Sequence, residues 1–273
     1  MIKEEDGNYI KTNSNNLTIN ELYDYFNEKY SKKQLRNYCT NNNLNYKKLT
    51  KEERAVISKK RKNKKQRQQT LVNHDYFKTW SKNMAYIFGL WCADGNIGTQ
   101  NKGYQFSIKL HKKDKYLLQD ILDEMKSEHK IYENKENCCY FIIGSKTIYN
   151  DIISLGGMEK KSLNLKFPSV PSEYLPDFIR GYFDGDGCIA KTSNQVNIIG
   201  TIDFLNTIKD VLFDNGILIS NICKKHPESK SNCYVLYICK KTEIIKFKNF
   251  IYKECGDNSL FLKRKKEIFD NKY

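Results

Sequence analysis

Two stretches of this 273-residue chain repeat each other without a gap. Residues 86 to 95 read Y-I-F-G-L-W-C-A-D-G and residues 178 to 187 read F-I-R-G-Y-F-D-G-D-G. Gly89 therefore aligns with Gly181, Ala93 with Gly185, Asp94 with Asp186 and Gly95 with Gly187. Each stretch is apolar, aromatic-rich and long enough for a short helix, with two small residues four apart. Positions i and i+4 share a helix face, and without large side chains there another backbone can come close. The pattern predicts two helices packed through Gly89, Ala93, Gly181 and Gly185. The glycine after each acid is expected to stop its helix in left-handed backbone. Asp94 and Asp186 would then meet at the negative ends of two helix dipoles, where like charges repel. Divalent cations neutralise such a meeting, and two carboxylates across an axis suit metal-assisted hydrolysis of a phosphodiester. One Asp-Gly pair is only a common turn; the repeat is what carries the reading.

The repetition runs on beyond these stretches. Asn101-Lys102-Gly103 reads as a hairpin turn before a strand, Tyr104 to His111. That strand alternates Phe106, Ile108 and Leu110 with Gln105, Ser107, Lys109 and His111. Residues 114–129 have helical spacing, with Leu117, Leu118, Ile121, Leu122 and Met125 inward. A hairpin over 130–144, turning near Asn134 to Asn137, and a helix from Lys146 to Leu155, stopped by Gly156-Gly157, complete the unit. The second half offers a strand at Asn194 to Ile199, a helix over 203–214, a hairpin from Ile217 to Cys239 and a helix over 242–254. Cys139-Tyr140 matches Cys233-Tyr234, and Lys146-Thr147 matches Lys241-Thr242. Each half thus reads αββαββα, an α+β fold of two pseudo-symmetric halves, 76–170 and 171–273, with two four-stranded sheets. Helices covering one sheet face leave the polar face for a ligand. Gln105, Ser107, Lys109 and His111 in the first half, and Lys191, Ser193, Gln195 and Asn197 in the second, can address base edges and phosphates.

Both stretches resemble the LAGLIDADG motif of homing endonucleases, here with two copies in one chain. G-Y-F-D-G-D-G is a close match, while the first copy carries Cys92 where the motif's earlier acid usually stands. K-K-S-L-N-L-K-F-P at 160–168 also resembles a bacterial, phage and intron-borne branch of the family. The resemblance implies a saddle gripping double-stranded DNA, a monomer, and site-specific cleavage of both strands with Mg²⁺ or Mn²⁺ held by Asp94 and Asp186. Family members add basic or amide side chains around the metals, and Lys112, next to His111, and Lys161 match such positions. Gly200-Thr201 stands in the slot of His111-Lys112, which implies two chemically unequal sites. The alternatives on this fold are an RNA maturase, with group I intron RNA as partner, and an inactive DNA-binding regulator; retention of both acids speaks against the regulator. An intein is not expected, since the chain begins at Met1 without splicing blocks.

Charge agrees with a polyanionic partner: 47 Lys and Arg against 32 Asp and Glu give a formal +15. No apolar run of spanning length and no signal-like start are present, so the expectation is no membrane and a cytoplasmic location. The nine cysteines include no C-x-x-C pair. Cys223, His226, Cys233 and Cys239 match no common zinc spacing, and free thiols are the reading. Ahead of the repeat, residues 1–16 read as a loose polar lead-in. Thr18 with Glu21, and Ser31 with Gln34, then mark two capped helix starts joined by Lys29-Tyr30-Ser31. Their apolar positions are Leu22, Tyr25 and Phe26, then Leu35, Tyr38 and Cys39. A helix-turn-helix-like domain over 1–58 follows, with Lys32, Lys33, Arg36, Asn37 and Asn41 facing outward toward a groove. Residues 59–75 form a basic linker around K-K-R-K-N-K-K-Q-R, seven basic residues of nine from Lys59 to Arg67. A nuclear localisation signal is the other mechanism for that string.

Overall fold

A computed structural model describes residues 2–27, 29–55, 70–100, 103–228 and 230–273, in two compact units divided between Gln69 and Thr70. The basic run Lys59 to Arg67 and the Asn101-Lys102 turn lie outside the described residues.

Among the described residues, the first unit includes α1 (Glu4–Asn13), α2 (Ile19–Tyr25) and α3 (Lys32–Asn41), and residues 51–55 are helical as well. Both capping boxes form: Thr18 with Glu21 opens α2, and Ser31 with Gln34 opens α3. The expected lead-in is instead mostly α1. Its first turn carries Glu4, Glu5 and Asp6, which suit the positive end of a helix dipole. Ile10 is fully buried and joins Ile19, Leu22, Phe26, Tyr30, Leu35 and Cys39 in a small core. Tyr25 is exposed rather than inward, its ring stacked on Tyr9 at 3.9 Å. On α3, Lys33, Arg36, Asn37 and Asn41 face solvent. Lys32 is diverted: its Nζ donates to Asn20 Oδ1 at 2.8 Å and lies 4.5 Å from the Tyr23 ring centre.

The second unit runs α4 (Lys82–Asp94), β1 (Gly95–Gln100), β2 (Gly103–His111), α5 (Lys115–Glu124), β3 (Tyr132–Glu133), β4 (Cys138–Ile143) and α6 (Lys146–Ser154). It then repeats as α7 (Leu175–Asp186), β5 (Gly187–Ile189), β6 (Val196–Gly200), α8 (Ile202–Asp214), β7 (Asn221–Lys224), β8 (Tyr234–Ile238) and α9 (Lys241–Ile251). A further helix, α10 (Lys263–Lys272), ends the chain, and sequence periodicity does not suggest it. The two antiparallel sheets are ordered β1-β2-β4-β3 and β5-β6-β8-β7, the same topology twice. One core joins them: Phe106, Ile108, Phe141 and Ile143 from the first sheet and Val196, Ile198, Leu236 and Ile238 from the second, packed against the helices.

Register corrects one pairing. Ile108 faces Phe141 and Ile198 faces Leu236, so Cys138 corresponds to Cys233, and Cys139 to Tyr234. A one-residue slip turns side chains to the other face, and Cys139 is indeed buried whereas Cys233 is half-exposed. Lys146-Thr147 and Lys241-Thr242 do coincide, each opening a helix. Residues near 71–74, assigned to the linker, pack on the first half. There Glu128 N donates to Leu71 O at 3.0 Å, Asn73 N donates to Met125 O at 2.9 Å, and His74 bonds Ser145.

Candidate active site

Helices α4 and α7 touch backbone to backbone. A Cβ built on Gly89 would lie 2.0 Å from the Phe178 carbonyl oxygen, and one on Gly181 would lie 2.0 Å from that of Tyr86. These are symmetry-related contacts, since Phe178 occupies the place of Tyr86 in the repeat. Nearer the C-terminal ends, a Cβ on Gly185 would lie 2.3 Å from that of Ala93 and 3.0 Å from Asp94 Oδ2. All four small residues therefore lie in the contact, and the Asp94 carboxylate sits over the last turn of α7, beside Asp186.

The helices do not end in left-handed backbone. Gly95 has φ −90° and ψ 165°, and Gly187 has φ −95° and ψ 159°, so each chain passes directly from helix into strand. Glycine serves here for room: a Cβ would lie 2.1 Å from Trp91 Cδ1 at the first position and 2.1 Å from Phe183 Cδ2 at the second. The ring of the residue four positions back folds over each exit.

Two buried lysines neutralise the helix ends. Lys161 Nζ donates to Ala93 O at 2.8 Å and stands 5.5 Å from the Trp91 ring centre. Lys265, on α10, donates to Phe183 O at 2.6 Å and Asp184 O at 2.8 Å, and stands 4.8 Å from the Phe183 ring centre. Each thus satisfies C-terminal carbonyls and offsets the negative end of a dipole. Burial lowers both ammonium groups, that of Lys265 to about 8. Sequence reasoning misses Lys265 because it lies in K-R-K-K at 263–266, which has the look of a solvated face. Only packing turns it inward, and a buried network fixes that packing. Arg180 donates to Leu260 O at 3.1 Å and Ile251 O at 2.8 Å while pairing with Asp177 at 2.7 Å. Asp184 accepts from Tyr86 Oη at 2.7 Å and Leu262 N at 2.8 Å. The segment leading into α10 is thereby tied to α7. Cys92 fills the place of Asp184 in the first half, so this network exists on one side only.

The two motif carboxylates titrate high. Surrounding protein and then the Asp186 charge push Asp94 up to about 6, opposed by Lys161, Lys265 and Arg264. Burial also raises Asp186, opposed by Lys161, Lys265 and Lys225. Both side chains still reach solvent, Asp94 more than Asp186. Two hard oxygen donors, each short of positive charge and open on one side, fit Mg²⁺ or Mn²⁺, ions that usually complete their shells with water and substrate phosphate. A cleft of about 170 Å³ beside Asp186 is lined by Cys92, Lys161, Tyr182, Thr201 and Cys233 among others.

A carboxyl whose folded pKa is raised holds its proton more tightly when folded. Its stabilising contribution is therefore present at acid pH and is lost as pH rises from about 4 through 6. In metal-free buffer at pH 7.5, Asp94→Asn should be more stable than the parent, by about 1 kcal/mol once solvent screening is allowed for. At pH 4 the two should melt together. Thermal melts across pH 4 to 8 check this, and a variant less stable than the parent at pH 7.5 would contradict it.

The other expected site residues are scattered. Lys112 is engaged elsewhere, its Nζ 2.6 Å from Glu133 Oε2, and the register makes it the counterpart of Ile202, with His111 matching Thr201 rather than Gly200. His111 caps the turn after β2, its Nδ1 accepting from Lys113 N at 3.1 Å. Gln105, Ser107 and Lys109 lie along the open side of β2, Lys109 within 3.2 Å of Glu136. In the second half only Asn197 is on a strand. Lys191, Ser193 and Gln195 lie in the connection between β5 and β6, because that hairpin is shorter and its strand begins at Val196.

A family model described as "LAGLIDADG-like domain" matches residues 81–154 and 173–252. Among solved structures, I-DmoI in complex with DNA and calcium is 18% identical, covering 70% of this chain and 96% of that one with a TM-score of 0.49. The meganuclease I-AabMI bound to uncleaved DNA is 15% identical, covering 70% and 89% with a TM-score of 0.47. A curated relative, the probable translation initiation factor IF-2 of Methanocaldococcus jannaschii, is 34% identical over 119 residues, 40% of this chain. That match spans only 10% of the relative's length. The two matched segments begin just before α4 and just before α7, each running through one αββαββα half, and the chain belongs to the LAGLIDADG family.

Proposed function

We propose that this protein is a site-specific endonuclease that hydrolyses both strands of duplex DNA with divalent metal at Asp94 and Asp186. The observation that carries the reading is the paired ends of α4 and α7, where two carboxylates stand side by side, each helix end backed by its own buried lysine. Mg²⁺ or Mn²⁺ bound there supplies Lewis-acid stabilisation of charge gathering on the scissile phosphate. Asp94 and Asp186 would hold the ion through their carboxylate oxygens. Lys161 and Lys265 keep the two acids tolerable at one point and hold positive charge under the phosphates, where a fixed charge is most effective. The open sheet faces supply DNA contacts, and the sequence excess of Lys and Arg supplies the attraction.

Incubation with a randomised duplex library in Mg²⁺, followed by end sequencing, tests this. Paired ends sharing one sequence support it, and ends no more frequent than those from Asp94→Asn overturn it.

We further propose that the first unit is a DNA-binding appendage, with Lys33, Arg36, Lys47, Lys48 and Arg54 on its surface. Every phosphate that the protein ceases to neutralise lowers the slope of log affinity against log salt by about 0.9. A chain beginning at Thr70 should still cleave, with a salt slope several units shallower and a shorter footprint. An unchanged slope and footprint would remove the appendage from DNA binding.

A further inference from the structure

The two sheets share one register, which allows their open faces to be compared position by position. Gly95 faces Ile108 as Gly187 faces Ile198, and Ile108 faces Phe141 as Ile198 faces Leu236. In the outer ladder Tyr132 faces Tyr140 as Cys223 faces Val235. Strand side chains alternate, so the residues between the core positions point to the uncovered face. On the first sheet these include Asn96, Ser107, Lys109, Tyr140 and Tyr132. The corresponding residues on the second are Cys188, Asn197, Ile199, Val235 and Cys223. None of these second-sheet residues belongs to the helix-covered core.

The chemistry changes at four of these positions, while Gln105 and Ser107 keep hydrogen-bonding counterparts in Gln195 and Asn197. An amide becomes a thiol at Asn96/Cys188, an ammonium becomes a branched alkyl at Lys109/Ile199, and stacked tyrosines become Val235 and Cys223. Ile142 to Tyr237 runs the other way, leaving Asn197, Asn221 and Tyr237 as polar groups on the second sheet's open strands. Cys188 is exposed, Ile199 and Cys223 are half-exposed, and Val235 is nearly covered. Around this apolar strip, Lys191, Lys225, His226 and Lys240 stand in the connections at the strand ends. Basic groups at the rim with apolar groups at the centre suit a duplex whose phosphates flank the strip. In the major groove, hydrogen bonding reads amide and carbonyl edges, whereas apolar side chains read the thymine methyl group.

We propose, resting on the DNA-cleavage reading above, that the two halves recognise their half-sites by different chemistry. The second sheet reads thymine methyl groups through Cys188, Ile199 and Cys223. The first sheet reads hydrogen-bonding edges through Gln105, Ser107 and Lys109. The bound sequence is therefore thymine-rich under the second sheet, and its discrimination there depends on methyl groups.

The test uses a duplex selected by the full chain from a random library, with binding measured in the absence of divalent metal. Thymines in one half-site at a time are replaced by deoxyuridine, which removes the methyl and keeps base pairing. Substitution in one half-site should weaken binding about fourfold per methyl touched, the equivalent of ~0.8 kcal/mol each. Substitution in the other half-site should leave binding within about twofold. Ile199→Ser and Cys188→Ser, each checked for a parental melting curve, should erase part of that uracil penalty. Lys109→Ser should weaken binding overall and leave the penalty intact. If either serine variant fails to melt like the parent, the other and the uracil asymmetry still decide. Equal sensitivity in both halves, or none in either, overturns the inference while leaving DNA binding in place. Failure to select any duplex overturns the underlying reading instead. A free protein that sediments as a dimer, dissolved by Ile199→Ser, would assign the strip to a second copy and also overturn it.

Discussion

Asp186→Asn should leave DNA affinity equal to or slightly tighter than parental while lowering double-strand cleavage by about three orders of magnitude. Asp94→Asn should do the same. On the proposed function the side chain keeps its shape but loses the charge that would hold the metal, and removing one well-placed electrostatic group costs about 10²–10³ in rate, more where a metal leaves with it. Affinity is spared because removing a carboxylate from a phosphate-facing surface relieves repulsion. Residual nicking of one strand is compatible with this outcome, since Cys92 in the place of Asp184 already makes the two sides unlike. The measurement is cleavage of a supercoiled plasmid bearing the selected site, which separates nicked from linear product. Linear product at the parental rate from Asp94→Asn would remove that residue from the chemistry.

Gly181→Ala is expected to destabilise the second unit by about 3 kcal/mol or more, and Gly181→Leu to prevent folding. The added methyl of alanine would sit 2.0 Å from a carbonyl oxygen of the facing helix. Backbone cannot swing aside as a side chain does, so both helices must separate and the core between them opens. For a unit of this size that is a fall in melting temperature of about 6–12 °C. Gly89→Ala should behave alike, through its contact with Phe178. Gly98→Ala is the control, since a Cβ there meets nothing within 4 Å, and it should change little. Equal melting of Gly181→Ala and Gly98→Ala would mean that the helices do not meet as described.

The architecture was legible in the chain because two short-range signals repeat. Small residues four apart can only mark a close helix contact when they occur twice with the same acid behind them. Strict alternation such as Phe106, Ile108 and Leu110 needs no partner to declare which face is buried. Capping boxes at Thr18 and Ser31 were readable for the same reason, each being complete within four residues. What only tertiary structure decided depends on partners distant in sequence. Helix α1 exists because Ile10 finds the core of α2 and α3, not because its own residues favour burial. Lys112 is taken up by Glu133, a neighbour supplied by the next hairpin. Lys265 becomes a helix-end cap only because Arg180 and Asp184 anchor the segment before it, roughly eighty residues away along the chain. A basic side chain costs little in solvent and gains much where carbonyls lack partners, and nothing local in K-R-K-K distinguishes the lysine that finds them. The acids at the centre were visible because the repeat aligned them; the lysines beneath them were set by packing across the whole unit.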